Sequence, residues 1–268
     1  MSDVPLWITD VGRLALGKLV LLVEGEDDVV LFEHFLKQHV PGWDLRLHLA
    51  AAGGKQRVIV GVAVHRPEWI GIVDLDEWSP ADVRAAVARS PRLRALPRFC
   101  IESYFCHPVE LWAALPPVQR ARLGNNPQTL AAPIMEKLPD WAARGAMWRI
   151  LRQLCHDTRL PTALEREPVT DEAEIRRTLE EWHARLAPEQ VLAQYRQELE
   201  KARRLSPDEQ LTRYIHGKKF FNMVVVQTLD HLFSGKGADD WLQKFRDAPI
   251  QPPGDLKELL DWVLRLVP

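Results

Sequence analysis

The stretch Leu19–Val23 constrains the fold most. Five apolar residues run together, then Glu24-Gly25-Glu26-Asp27-Asp28 follows, and helical spacing resumes through Val30, Phe32, Phe35 and Leu36. A short apolar run that stops at a carboxylate and a glycine reads as a buried strand delivering a side chain into a turn. Acids clustered at the tip of a core strand call for something to neutralise them.

The same grammar repeats downstream. The helix over 27–38 ends at Pro41-Gly42. A second strand is expected over 44–50, a Gly53-Gly54-Lys55 turn next, a helix over 56–65, and a third strand over 69–73 closed by Asp74-Leu75-Asp76. Ser79-Pro80-Ala81-Asp82 opens a helix with Ser as cap, Pro in the first turn and an acid at the third position. Residues 98–104 read as a fourth strand. Strands alternating with helices predict βαβ units and a mainly parallel, Rossmann-like α/β sheet flanked by helices. Open sheets of this kind bind ligands at the carboxyl ends of their strands, where Glu24 and the Asp74/Asp76 pair then lie.

After Pro108 the pattern turns helical. Ile175, Leu179, Trp182 and Leu186 follow helical spacing, as do Leu192, Tyr195 and Leu199, with Gly124-Asn125-Asn126-Pro127 and Pro161 as punctuation. The chain therefore divides into an α/β core over 1–110, an all-helical insertion over 111–205, and a helical C-terminal part over 206–268 that packs back on the core. Ser206-Pro207-Asp208-Glu209 is a capping box, and Pro252-Pro253-Gly254 precedes a terminal helix. Trp112, Trp141, Trp148 and Trp182 could anchor a partner surface as well as a core.

With 268 residues, 46% apolar and 27% charged, the chain can bury a substantial core. A net charge of −2 argues against a nucleic-acid binder that uses its whole surface, and leaves room for a local basic groove among the 35 Lys and Arg. Cys100, Cys106 and Cys155 form no zinc half-site and read as reduced, buried thiols of a cytoplasmic protein. No run approaches the roughly 20 apolar residues of a membrane span.

Glu24 and Asp28 stand four apart across a strand-to-helix turn. Asp74 and Asp76 are two apart at a strand end, so both point to one face. Glu102 sits in Ile-Glu-Ser-Tyr. Two like charges about 4 Å apart repel by roughly 4 kcal/mol at an effective dielectric of 20. Such a cluster takes up protons or cations. A set of oxygen donors without His or Cys suits Mg²⁺ or Mn²⁺, and a pair of ions suits phosphodiester cleavage. Glu26 and Asp27 read as solvent-facing.

Ala51-Ala52-Gly53-Gly54-Lys55-Gln56 imitates a P-loop and fails it twice, with Leu49 at the first glycine position and Gln56 in place of Ser or Thr. Nucleotide hydrolysis is therefore rejected, although Gly54 and Lys55 could still meet a phosphate. Lys218 and Lys219, after Gly217, could support phosphate charge in a transition state. The nine histidines show no metal-binding spacing, and Ser103 lies outside G-x-S-x-G.

With these residues placed, the sequence resembles the TOPRIM fold, and more narrowly the TOPRIM nucleases of the overcoming-lysogenization-defect class and the DUF4435-type family. The resemblance rests on Val23-Glu24-Gly25-Glu26-Asp27-Asp28, Ala52-Gly53-Gly54-Lys55, Gly71-Ile72-Val73-Asp74-Leu75-Asp76, Ile101-Glu102-Ser103-Tyr104 and Gly217-Lys218. It covers about 16–110 and says almost nothing about 111–205. It implies a catalytic acid at Glu24, metal ligands at Asp28, Asp74 and Asp76, the glutamate at Glu102, and the active-site lysine at Lys218, with Lys219 as rival. Trp78 replaces the third acid of D-x-D-x-D, which turns the reading from topoisomerases and primases toward nucleases. Small stand-alone proteins of this type resemble the TOPRIM effectors of the PARIS anti-phage system. That likeness implies storage on a separate ABC-type ATPase docked through the helical insertion, homodimerisation on release, and cleavage of host RNA or DNA, tRNA included. Two alternatives stand beside it: a TOPRIM nuclease of ribosomal-RNA maturation, and a non-catalytic TOPRIM-like protein that binds an ATPase.

Overall fold

The computed structural model describes residues 4–157, 172–234, 237–248 and 250–267. In chain order come α1 (Leu6–Leu14), β1 (Leu19–Val23), α2 (Glu26–His39), β2 (Leu47–Ala51), α3 (Lys55–Val60), β3 (Ile70–Val73), α4 (Pro80–Val87) and β4 (Leu93–Ala95). The four strands are all parallel, in the order β2-β1-β3-β4. This is the α/β architecture that the alternation of strand and helix predicts.

The alternating side chains of β1 feed two cores. Leu21 and Val23 join Leu31, Phe32, Phe35 and Leu36 of α2 on one face. Val20 and Leu22 join Ile8 of α1, Val58 and Ile59 of α3 and Ala86 of α4 on the other. The chain moves one way in the sheet from β1 to β2 and the opposite way from β2 to β3 to β4. A single handedness of crossover then requires α2 on one face and α3 and α4 on the other, as found. Burying each large apolar side chain contributes about 1.5–3 kcal/mol before the entropy of ordering is subtracted.

Two features depart from the sequence reading. The fourth strand is Leu93–Ala95, paired with Gly71–Val73, while Ile101–Phe105 is a 3₁₀ turn. Every residue from Phe99 to Cys106 is buried, so the run carries no strand-like alternation. Cys100 and Cys106 are buried as expected, but Cys155 is exposed.

Among the described residues, 108–157 and 172–204 form helices only: α5 (Pro108–Ala114), α6 (Pro117–Arg122), α7 (Pro127–Glu136), α8 (Leu138–Asp157), α9 (Glu172–Arg185) and α10 (Pro188–Arg204). Pro161 and the side chain of Trp182 lie outside the described residues. Leu111, Leu130, Ile134, Leu138 and Trp141 belong to the same core as β1, whereas α8 and α10 pair through a small separate cluster of Ala142, Ala146, Ala202 and Tyr214. The last segments are α11 (Pro207–Glu209), α12 (Gly217–Phe220), α13 (Val226–Phe233), α14 (Ala238–Asp247) and α15 (Gly254–Leu266). Wide helical turns follow α3, α11 and α12. Leu256, Leu260 and Val263 of α15 are fully buried in the core that β1 and α2 share. No helix among the described residues is long and apolar enough to cross a membrane.

Candidate functional site

The order of the sheet reverses between β1 and β3, and the crevice beyond the carboxyl ends of those strands is where open α/β sheets place ligands. Glu24 and Asp74 are the first residues past β1 and β3. They meet there: the Asp74 N–H donates to Glu24 Oε1 at 2.9 Å.

Each neighbour is brought in by a local device. Gly25 caps α2, and its N–H donates to Asp28 Oδ2 at 2.8 Å, which fixes Asp28 on the inner side of the first helical turn. Glu26 and Asp27 on the same turn are exposed, as expected. Asp76 adopts the left-handed backbone region, φ +48°, a conformation uncommon outside glycine that concentrates at functional sites. Its N–H donates to the Phe99 carbonyl at 2.8 Å. Glu102, only 6% exposed, rides on the 3₁₀ turn Ile101–Phe105. Gly217 lets α12 lie against that turn, because a Cβ there would stand 2.7 Å from Cys100 Sγ and inside contact with Ser103 Oγ.

Glu24, Asp28, Asp74, Asp76, Glu102 and Lys218 thus line one cavity of about 350 Å³, together with Cys100 and His216. Two ammonium groups serve the acids. Lys55 Nζ donates to Asp76 Oδ2 at 2.6 Å and to the Asp74 carbonyl at 2.7 Å, stands 3.9 Å from Glu24 Oε1, and lies 4.3 Å from the centre of the Trp78 ring. Lys218 Nζ binds Asp27 Oδ2 at 2.8 Å and stands 3.7 Å from Glu102 Oε1. The hydrogen bond that Lys218 donates to Asp27 heads the influences that raise the Lys218 pKa.

Burial outweighs these partners for three acids. It pushes Glu24 up to about 7, with Lys55 opposing, and Asp28 up to about 6. Asp74 is raised well above the usual carboxylate range by burial and then by the charges of Asp28, Glu24, Asp76 and Glu102, all acting in one direction. Its carboxylate accepts no hydrogen bond from the described residues. Five oxygen acids with incomplete cation cover fit the chemistry of a hard divalent ion. In their present spacing no three His, Cys, Asp or Glu side chains among the described residues stand ready to hold one, and the Lys55 ammonium supplies positive charge beside Asp76 and Glu24.

The three residues expected at a phosphate divide between the acid site and its surroundings. The Gly53 and Gly54 N–H groups both donate to the Glu24 carbonyl at 2.9 Å, so the glycine turn fixes the Glu24 backbone. Lys55 points into the acid cluster. Lys219 points away from it and lies 3.8 Å above the Trp148 ring, in a neighbouring cavity. His216 carried no signal in the sequence beyond its place before Gly217-Lys218. It stacks on Phe99 at 5.1 Å and lines both cavities, and its buried Nδ1 has no hydrogen-bond partner among the described residues. Burial and then Lys219 lower its pKa, which favours the neutral ring.

Comparisons of the chain with protein-family models, with curated proteins and with solved structures found no match.

Proposed function

We propose that this chain is a TOPRIM-type, Mg²⁺- or Mn²⁺-dependent endonuclease that hydrolyses phosphodiester bonds of nucleic acid. One observation carries the reading: Glu24, Asp28, Asp74, Asp76 and Glu102, from three segments of the chain, converge on one cavity at the reversal point of a parallel sheet. Glu24, Asp28, Asp74 and Asp76 would hold the ions, with Glu102 beside them. Bound there, such ions supply positive charge for the attacking and leaving oxygens. The chain's own groups do the rest. Glu24, at the tip of β1, is the carboxylate placed to exchange a proton with the attacking group; burial raises its pKa to about 7 before an ion binds. Lys218 neutralises phosphate charge on the Glu102 side of the cavity. Storage on an ABC-type ATPase as an anti-phage effector belongs to the same reading, and co-expression with a candidate ATPase tests it by co-purification.

The test incubates purified protein with labelled RNA and DNA in Mg²⁺ or Mn²⁺, beside Glu24→Gln and Lys218→Ala. Cleavage by the wild type, lowered about 100-fold or more in Glu24→Gln, is expected. Failure of the partner-free protein to cut either polymer would end the reading. A second reading, a non-catalytic binding protein, is favoured by the two lysines already seated among the acids. Calorimetric titration separates the two. Heat from Mg²⁺ or Mn²⁺ that disappears in Asp74→Asn supports the enzyme, and no heat supports the binding protein.

A further inference from the structure

Beside the acid cavity lies a second one of about 320 Å³ with a different chemistry. That size falls at the lower end of the roughly 300–1,000 Å³ of pockets that take small ligands. Phe99, Trp148 and Met223 give it aromatic and apolar walls, and its charged lining, Arg144 and Lys219, is wholly cationic. Neither cation is in an ion pair among the described residues. Trp148 is 40% exposed, Leu151 45% and Met223 49%, so three large apolar side chains of one lining reach solvent together. Lys219 lies 3.8 Å above the Trp148 ring, so a cation and a π face occupy one spot.

The two cavities share His216, and the residues that follow it divide between them. Lys218 reaches the acid cavity and Lys219 the aromatic one. Successive side chains on a helix diverge by about 100°, so the start of α12 straddles the ridge between the cavities. A polymer crossing that ridge would pass an acid site suited to cations, then a lysine on each side, then an aromatic wall.

We infer that the Phe99–Trp148–Met223 cavity is a nucleobase subsite, which takes one unstacked base next to the phosphate at Lys218 and so selects single-stranded nucleic acid. The inference rests on the nuclease reading for the identity of the neighbouring site. Bases in a duplex are stacked and paired and cannot enter a side cavity, whereas a single strand can turn one out onto an aromatic face. Lys219 and Arg144 then meet the phosphate that flanks the base. Base stacking and phosphate pairing do not involve the sugar 2′ position, so RNA and DNA single strands share the chemistry.

The test uses fluorescein-labelled 15-nucleotide RNA and DNA single strands and the matching duplexes. Their binding to the full chain is followed by anisotropy in EDTA at fixed salt. Trp148→Leu is expected to weaken single-strand binding about tenfold, Trp148→Phe to retain most of it, and duplex binding to be weaker and indifferent to both. Lys219→Ala is expected to lower the salt dependence by about one phosphate contact. Equal single-strand affinity for wild type and Trp148→Leu, or equal affinity for duplex and single strand, overturns the subsite. Cleavage in Mg²⁺ is scored separately. A protein that cuts nothing but loses single-strand binding in Trp148→Leu keeps the subsite and loses the nuclease reading. One that cuts both strand forms equally, with Trp148→Leu unchanged, does the reverse.

Discussion

Glu24 sits where a carboxylate is uncomfortable, and that has a measurable consequence. Its proton is lost near 4.5 in the unfolded chain and near 7 in the folded one. Between those values the folded state holds a proton that the unfolded state has released, so stability falls as pH rises through the window. Asp28 and Asp74 shift in the same direction and add to the slope. In EDTA the urea midpoint should therefore decline from pH 5 to pH 8. Glu24→Gln, which keeps an oxygen for the Asp74 N–H, should gain about 1–2 kcal/mol at pH 8 and nothing at pH 4. A midpoint that is flat or rising over this range would contradict the assignment. Lys55 gives the opposite test. Lys55→Ala strands Asp76 and Glu24, at a cost of about 2–4 kcal/mol at pH 8 and less at pH 5, where a proton on Glu24 offsets part of the lost charge. An equal loss at both values would mean that the lysine acts through packing on Trp78 alone. At this scale the sequence was readable where a strand stops, which is why Glu24, Asp74 and Asp76 stood out. Lys55 looked like a phosphate ligand because its turn is glycine-rich. Nothing local shows that the Gly53 and Gly54 N–H groups go to the Glu24 carbonyl and that the lysine turns inward.

Elements aim these residues, and the approach of α12 to the 3₁₀ turn Ile101–Phe105 is the tightest contact near the site. The Cys106 thiol donates to the carbonyls of Glu102 and Gly217, at 3.4 and 3.5 Å, and ties the two elements together. Gly217→Ala inserts a methyl group between Cys100 Sγ and the Ser103 backbone. It should cost about 1–3 kcal/mol and carry Lys218 away from Glu102. Gly254→Ala, at the start of α15, meets open space and should change stability by only a few tenths of a kcal/mol. Thermal denaturation of the two variants side by side decides the point, and similar shifts would show that the close approach is relaxed at little cost. The helices with strong start signals, at Ser79 and Ser206, were legible from their capping boxes alone. The 3₁₀ turn was not. A run buried on every side looks alike as strand or turn until its neighbours are known.

On the scale of the whole molecule, the acid site is held from outside by a buried cation. Arg98, 6% exposed, makes paired bonds of 2.6 Å to both oxygens of Glu110 on α5, and bonds of 2.8 and 3.2 Å to Asp255 on α15. Its guanidinium also lies 4.2 Å from the centre of the Tyr104 ring. Four residues along the chain, Glu102 enters the cavity, so this triad fixes the 3₁₀ turn against both α5 and the C-terminal helix. Such long-range pairing is invisible in a sequence, where Arg98, Glu110 and Asp255 each pass for a surface charge. Removing the arginine leaves two partly exposed carboxylates without their shared cation. Arg98→Ala should therefore cost about 2–3 kcal/mol, less than for a fully buried pair because water reaches both carboxylates, read as a shift of the urea midpoint. Replacing all three members by apolar residues of similar size should recover most of the loss, because an unpaired buried charge costs more than a missing ion pair. The triple variant then isolates what the triad contributes to the site. If it folds at wild-type stability but holds Glu102 loosely, Mg²⁺ titration should show weakened binding. Wild-type binding in that variant would make the triad a matter of stability alone.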